Sequence, residues 1–246
     1  MATVYLIPSI LQEEGLDAIP AYIIKAIKEC QVFFVENERT TRRYFKLLWK
    51  VCLPGQDMVI DDYEWHTIAD TGQQPGQQEV ADTFRKKLKE NKNIGIISEA
   101  GCPGVADPGQ VLVAIAHQMN VEVKPLVGPN SILLALMASG MNGQQFQFHG
   151  YLPIDNHQRV KTIKELEASS VKNKCTQIFI ETPYRNNQLI ETLCKNCHPS
   201  TRLCMAVDLT GKKEWIKTKA ITDWQKMKPD IHKRPAIFLL YSDLMG

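Results

Sequence analysis

Residues 94–109 read Ile-Gly-Ile-Ile-Ser-Glu-Ala-Gly-Cys-Pro-Gly-Val-Ala-Asp-Pro-Gly, and residues 121–131 read Val-Glu-Val-Lys-Pro-Leu-Val-Gly-Pro-Asn-Ser. Each stretch starts with a short apolar run, turns on glycine and proline, and opens an amphipathic segment. Strand, turn and helix thus follow one another twice within about 45 residues, the rhythm of a mostly parallel α/β sheet. Such sheets bind ligands beyond the carboxyl ends of their strands. Glycine-rich turns there let backbone amides and carbonyls approach a ligand, because no side chain stands in the way. Neither Gly-x-Gly-x-x-Gly nor Gly-x-x-x-x-Gly-Lys-Ser/Thr occurs, so the turns are not the common dinucleotide or phosphate loops.

Working outward, the same alternation continues. A strand is expected at 3–7, a helix at 19–30 with Asp17 as its cap and Pro20 in its first turn, and a strand at 32–36. A helix at 39–50 and a short strand at 58–60 come next. Residues 70–78 form a polar loop carrying Gly72, Pro75 and Gly76, expected to be mobile and to act as a lid. A helix at 79–91 precedes the two turns. The polar stretch near 140–145 reads as a linker, dividing the chain into domains at 1–141 and 145–246. The second half reads as strands at 146–151, 176–181, 202–208, 214–219 and 236–241, with helices at 158–168 and 185–195 and a short helix around Trp224.

The 246 residues are 44% hydrophobic and 23% charged with a net charge of +2, an ordinary composition that neither demands nor excludes a nucleic-acid partner. No run approaches the roughly 18 apolar residues of a membrane span, and no secretory signal pattern opens the chain, so a cytoplasmic protein with no membrane partner is expected. Seven cysteines, an odd number, are expected to be reduced. Cys194-Lys195-Asn196-Cys197-His198 has the haem-attachment spacing, but it lacks the ligands of a zinc site, and the plain reading is two cysteines at a helix end. No metal is expected.

Ser98-Glu99-Ala100-Gly101-Cys102-Pro103-Gly104-Val105-Ala106-Asp107-Pro108-Gly109 resembles the pattern Ser-Asp-Ala-Gly-Thr-Pro-x-Ile-Ser-Asp-Pro-Gly. Val127-Gly128-Pro129-Asn130-Ser131 with Ala135-Leu136-Met137-Ala138-Ser139-Gly140 resembles Pro-Gly-Pro-Ser-Ala and its Ala-Leu-x-Ala-Ser-Gly helix. Phe148-His149-Gly150-Tyr151-Leu152-Pro153 is similar to Phe-x-Gly-Phe-Leu-Pro, and Ile180-Glu181-Thr182-Pro183-Tyr184-Arg185 to Tyr-Glu-Ser-Pro-His-Arg. These are marks of the tetrapyrrole methylase superfamily, the class III S-adenosylmethionine (SAM) methyltransferases. Within it the chain resembles the branch that methylates a ribose 2′-hydroxyl of small-subunit ribosomal RNA. There are departures. The family's opening Gly-Thr-Pro-Ile-Gly-Asn-Leu stands here as Ile7-Pro8-Ser9-Ile10-Leu11, its Ala-Glu-Asp-Thr-Arg as Val35-Glu36-Asn37-Glu38-Arg39, and Glu99 is one methylene longer than the family's Asp.

The resemblance implies two α/β lobes with mostly parallel or mixed sheets, a SAM cleft between them, and a homodimer. It assigns cofactor contacts to Pro8, Glu99, Ala100, Gly101, Val105, Ala106, Ser131, Thr182, Ala206 and Pro235. A hydroxyl acceptor benefits from a base. Glu36, at the end of a strand, is the first choice, with Glu38, Glu99 and Asp107 behind it; Asp107 is better suited to capping its turn. Glu36 and Glu38 also read simply as carboxylates at a helix N-terminus. Arg39, with Arg42, Arg43 and Lys46 near it on one helix face, suits phosphates, or is a solvated face. Arg39 joins Glu36 as a candidate catalytic residue. A tetrapyrrole or other small-molecule methylase, and a non-catalytic SAM-binding module, remain the alternatives to ribosomal RNA methylation.

Overall fold

The computed structural model describes residues 1–56, 59–68 and 74–243. These separate into two compact units, Met1–Asn130 and Ser131–Gly246.

In the first unit, β1 (Thr3–Ile7), α1 (Ile23–Glu29), β2 (Val32–Val35), α2 (Glu38–Cys52), β3 (Glu64–Thr67), α3 (Gln74–Lys89), β4 (Ile94–Ile97), α4 (Gln110–Gln118) and β5 (Glu122–Pro125) follow in order. The five strands form one parallel sheet in the order β3-β2-β4-β1-β5. Both sheet faces are covered, so the inner strands are apolar throughout rather than alternating. On β2, Phe33 and Val35 pack with Ile23, Ile27, Phe45 and Leu48 of α1 and α2. Val32 and Phe34 point the other way, to Phe84, Leu112 and Ile115 of α3 and α4. Helix α2 buries Thr41, Tyr44, Phe45, Leu48 and Trp49, the three- and four-residue spacing of one apolar stripe. Asn37 caps it, its side chain accepting from the Thr40 amide at 3.2 Å.

The second unit contains α5 (Ser131–Ser139), β6 (Phe146–Tyr151), α6 (Asn156–Asn173), β7 (Thr176–Ile180), α7 (Asn186–Asn196), β8 (Arg202–Val207), β9 (Trp215–Ala220), α8 (Ile221–Met227) and β10 (Ala236–Tyr241). Its mixed sheet has the order β6-β7-β10-β8-β9, with only β6 and β7 parallel. Ile163, Leu189, Leu193 and Trp224 from α6, α7 and α8 pack against Phe179, Leu203, Met205 and Phe238 of the sheet. The buried Trp224 indole donates to the Leu203 carbonyl at 2.8 Å. The architecture is the expected α/β pair.

Several boundaries differ from the sequence reading. Helix α1 starts at Ile23, not 19. Ile19 precedes Pro20 and is extended (φ −98°, ψ 117°), as a residue before proline prefers, and Asp17 lies in a separate 3-10 turn, Gly15–Ala18. Helix α3 begins at Gln74, so Pro75 and Gly76 belong to its first turn, where a missing amide costs no helical bond; of the expected lid, residues 70–73 lie outside the described residues. The strand expected at 58–60 is a 3-10 turn, Ile60–Asp62, with residues 57–58 outside the described set, and the true edge strand is β3. The polar stretch at 141–145 lies within the second unit, because α5 before it packs on β8, β9 and β10.

Gly95 in β4 tests the packing beneath the site. A Cβ there would come within 2.5 Å of the Phe33 ring and 2.9 Å of Ile7 Cδ1. Gly95→Ala is expected to cost about 1–3 kcal/mol by overpacking, read as a lower urea midpoint, with part of the loss recovered when Phe33→Leu is added.

Candidate functional site

Strands β1 and β4 are neighbours, but their onward connections leave in opposite directions, β1 to β2 and β4 to β5. Beyond the carboxyl ends of two such strands a parallel sheet opens a crevice. Two loops emerge there, one starting at Pro8 and one spanning 98–109, and a third, 126–130, follows β5. Ser9 ties the first two together. Its amide donates to the Gly101 carbonyl at 2.9 Å, its hydroxyl donates to the Ser98 carbonyl at 2.6 Å, and the same oxygen accepts from the Gly101 amide at 3.2 Å. Pro8 is held from two sides. The buried Tyr44 hydroxyl of α2 donates to its carbonyl at 3.0 Å. From the third loop, Gly128 comes so close that a Cβ would lie 2.2 Å from Pro8 Cβ. The altered first loop thus closes: Ile7 sits in the core, and Ser9 does the tying.

The 98–109 turn holds its own shape. Asp107 accepts from the amides of Gly104 and Gly109, each at 2.5 Å, the capping role expected of it. Gly101 and Gly104 have φ of +86° and +81°, and Ala106 has +60°. A Cβ at Gly104 would meet nothing within 4 Å, so open space lies before this part of the turn. Ala100, Val105 and Ala106 are exposed beside it. A turn of small residues with accessible backbone suits a ligand read by amides and carbonyls, as an adenine edge is, and on this observation the residues fit SAM.

The acidic candidates converge here. Glu36, just past β2, accepts the Glu99 amide on Oε1 at 2.8 Å. The Thr40 hydroxyl donates to the Glu99 carboxylate. Burial pushes the Glu99 carboxyl above the usual range, the Glu36 charge adds to this, and the Thr40 bond opposes it. Asn37, where the family has Asp, serves as the α2 cap, for which the two residues are equivalent. Glu99, Thr40, Ser9 and Tyr44 line a cavity of about 640 Å³, together with the basic Arg43, Lys46 and Lys50 and the acidic Glu13 and Glu14.

Arg39 is exposed on α2 and lines a second depression with Arg43 and Lys46. Arg42, expected on the same basic face, is instead engaged. It bonds Glu38 at 2.8 Å, pairs with Asp61, and lies over the Trp65 ring at 5.7 Å. At 100° per residue its neighbour Arg43 points outward while Arg42 turns toward the 3-10 turn holding Asp61.

In the second unit, the ends of β7 and β8 flank the start of β10. Thr182 is extended (φ −65°, ψ 138°), as the residue before Pro183 should be. Its amide and hydroxyl both turn back to Glu181 Oε1, at 2.6 and 3.3 Å, so the hydroxyl has a partner within its own turn. Arg185 pairs with the same buried carboxylate at 2.7 Å. Pro235 accepts the Asp208 amide at 3.0 Å, and Arg234 pairs with Asp208 at 2.7 Å. Ala206 is fully buried in β8, leaving only its backbone to offer. Ser131 opens α5. His149 is satisfied by Gln177 at 2.7 Å.

All seven cysteines are free, with Cys194 half-buried and Cys197 buried at the end of α7. Among the described residues, no cluster of His, Cys, Asp or Glu could hold a metal, and no helix is long and apolar enough to cross a membrane. Ser9, Thr40, Tyr44 and Lys50 are site residues that sequence reading missed. For Tyr44 the signal existed, a polar tip on the apolar stripe of α2; for Ser9 nothing local marks its long-range partners.

Comparison with known proteins gives a consistent picture. A family model described as tetrapyrrole (corrin/porphyrin) methylases matches residues 15–222. The ribosomal RNA small subunit methyltransferase I of Bacillus subtilis (strain 168) is 30% identical over 195 residues, 79% of this chain and 60% of that one. The protein of the same name from Escherichia coli O157:H7 is 33% identical over 57% of this chain and 48% of its own. The chain therefore spans about half to three fifths of the length of these relatives. Among solved structures, the methyltransferase CobJ matches with a TM-score of 0.60 at 16% identity, covering 98% of this chain and 93% of its own. Uroporphyrin-III C-methyl transferase from Thermus thermophilus, complexed with S-adenyl homocysteine, matches at 0.54 and 12% identity, covering 99% of each. These two likenesses concern the fold.

The Glu99 carboxyl makes stability depend on pH, chiefly through its burial. The Glu99 carboxyl binds its proton more tightly in the folded chain than in the unfolded one, so its contribution to stability falls as pH rises from the ordinary carboxylate value through the raised one. Glu99→Gln removes that loss. At pH 7 the variant is expected to melt about 1 °C higher than the parent, and near pH 4 at the same temperature, both measured by differential scanning fluorimetry. Asp107→Ala, by contrast, leaves two turn amides without their acceptor and should cost about 1–2 kcal/mol, read from urea unfolding.

Proposed function

We propose that this chain, which belongs to the tetrapyrrole (corrin/porphyrin) methylase family, transfers the methyl group of SAM to a ribose 2′-hydroxyl of small-subunit ribosomal RNA. The observation that carries the reading is the Ser9-locked turn 98–109 at the switch point of the first sheet, with a basic helix face beside it. The curated relatives that carry the ribosomal RNA name support the choice of acceptor.

In this reading the backbone of residues 99–106 and Pro8 hold the nucleoside part of the cofactor, and Ser131, Thr182, Ala206 and Pro235 are further proposed cofactor contacts. Bound SAM supplies a sulfonium leaving group, so the chain's task is alignment and removal of one proton. Glu36 is the proposed proton acceptor for the ribose hydroxyl, held beside Glu99 by the bond to the Glu99 amide. Glu99 keeps Thr40 as its own donor. Arg39, on the outer face of α2, meets a phosphate of the acceptor strand. Placing the hydroxyl in line before reaction is worth several kcal/mol. A homodimer in the cytoplasm belongs to the same proposal. The free cysteines suit a reducing compartment, and the exposed Met137, Tyr151 and Ile154 offer apolar area for a partner.

Calorimetric titration with SAM is expected to show saturable binding, weakened at least about tenfold by Ala100→Trp, which fills the space before the turn without entering the core. Incubation with SAM and small-subunit ribosomal RNA lacking the modification should yield a 2′-O-methylated nucleotide by mass spectrometry. Methylation of uroporphyrinogen and not of RNA would overturn the proposal in favour of a tetrapyrrole methylase. SAM binding without transfer to either would leave a binding module.

A further inference from the structure

We infer that Arg39, Arg43, Lys46 and Lys50 of α2 form a track for the sugar–phosphate backbone of single-stranded RNA leading to the Ser9–Glu99 cavity. This deepens the proposed function and takes its polyanion, an RNA, from it.

The four side chains are separated by four, three and four residues, so they form one row along the helix. The opposite stripe of α2 is buried in the first unit's core, which fixes the row outward. Arg43, Lys46 and Lys50 line the cavity of about 640 Å³, and Arg39, Arg43 and Lys46 line the adjoining depression of about 600 Å³. Sharing Arg43 and Lys46, the two hollows make one trough. From Arg39 to Lys50 the helix rises about 16 Å, the reach of a few nucleotides of extended strand.

Charge pairing and place together mark this row. Among the described residues, Arg39, Lys46 and Lys50 have no carboxylate partner. Arg43 has one, Glu13 at 3.0 Å, in a pair so exposed (74% and 77%) that salt and competing anions dissolve it readily. Elsewhere on the unit Arg42 pairs with Glu38 and Asp61, Arg85 with Asp82, and Lys87 with Glu64 and Glu90; Lys25, Lys28, Lys86, Lys89 and Lys92 also have no carboxylate partner among the described residues, but they line neither hollow. Unpaired cations in a row beside a cavity floored by the hydroxyls of Ser9 and Thr40 match phosphates outside and a ribose within. Glu13 at the mouth then acts against the strand, occupying Arg43 until a phosphate replaces it.

The test is fluorescence anisotropy of the full chain with a fluorescein-labelled single-stranded oligoribonucleotide of about 12 nucleotides, titrated across a range of KCl concentrations. Each phosphate contact with a single strand contributes about −0.7 to the log–log salt slope, so Lys46→Gln with Lys50→Gln is expected to flatten it by about 1.4 and weaken binding at low salt at least about tenfold. Glu13→Gln is expected to tighten binding about two- to threefold at low salt. Lys86→Gln with Lys89→Gln on α3 should leave the slope unchanged. The inference is overturned if the α2 pair keeps the parent slope, if the α3 pair flattens it equally, or if uroporphyrin occupies the row and RNA does not. SAM calorimetry on the α2 pair shows whether the fold and the cofactor turn are intact. RNA bound on this row but never methylated would refute the methylation reading alone. RNA methylated with the parent salt slope in the α2 pair would refute the track alone.

Discussion

The crevice depends on one hydroxyl. Ser9 is buried, and its oxygen both donates to the Ser98 carbonyl and accepts from the Gly101 amide, while its own amide meets the Gly101 carbonyl. Buried backbone polar groups must be paired. Both loops leave the sheet where no ladder partner continues, and this side chain supplies the pairing that the strands no longer can. A glycine in its place would leave the Gly101 amide and the Ser98 carbonyl unsatisfied in a dry site, at a cost comparable to a lost hydrogen bond for each. Ile7 beside it has become core. The first loop therefore closes through a side-chain bridge to a distant turn.

This bridge explains how far the sequence could be read. The two strand–turn–helix units were legible because their signals are local: apolar runs of four residues, then glycine and proline. Asp107 was legible for the same reason, since the amides that donate to it lie two and three residues away. The Ser9 bridge spans 89 and 92 residues, and no local pattern encodes such a distance. The misplacements have local causes too. Pro20 moved the start of α1 by acting on Ile19 rather than by entering the helix, and Pro75, read as loop, was a helix start. Proline marks a boundary in both cases, but its side of the boundary depends on whether the preceding residue must be extended.

Glu36 and Glu99 show why contact geometry refines a role assigned from position alone. From sequence, either is a carboxylate near a strand end. In the structure Glu36 spends one oxygen on the Glu99 amide and so fixes where the 98–109 turn begins. Glu99 gains a hydroxyl donor from α2 and a cavity wall. Burial, with the Glu36 charge adding to it, makes the Glu99 carboxyl costlier to ionise. The arrangement persists because Ser9, Tyr44 and Gly128 fix the loops from other directions.

Helix α2 connects these features. Its inward stripe anchors it to β2 and β3 through Phe45, Leu48 and Trp49, with Phe33, Phe45 and Trp65 in mutual ring contact. Tyr44 on that stripe reaches Pro8, and Thr40 one residue-face away reaches Glu99. The outward row of Arg39, Arg43, Lys46 and Lys50 is then held at a set distance from both loops by the same rigid element. A helix registers its faces through backbone bonds that do not depend on the outer side chains. Charge on the outer row can therefore change with the polyanion it meets without disturbing the Tyr44 and Thr40 contacts that shape the crevice. The same helix also explains the absence of Arg42 from that row. Its position turns it toward Glu38, Asp61 and Trp65, where it braces α2 against β3 and is unavailable for a ligand.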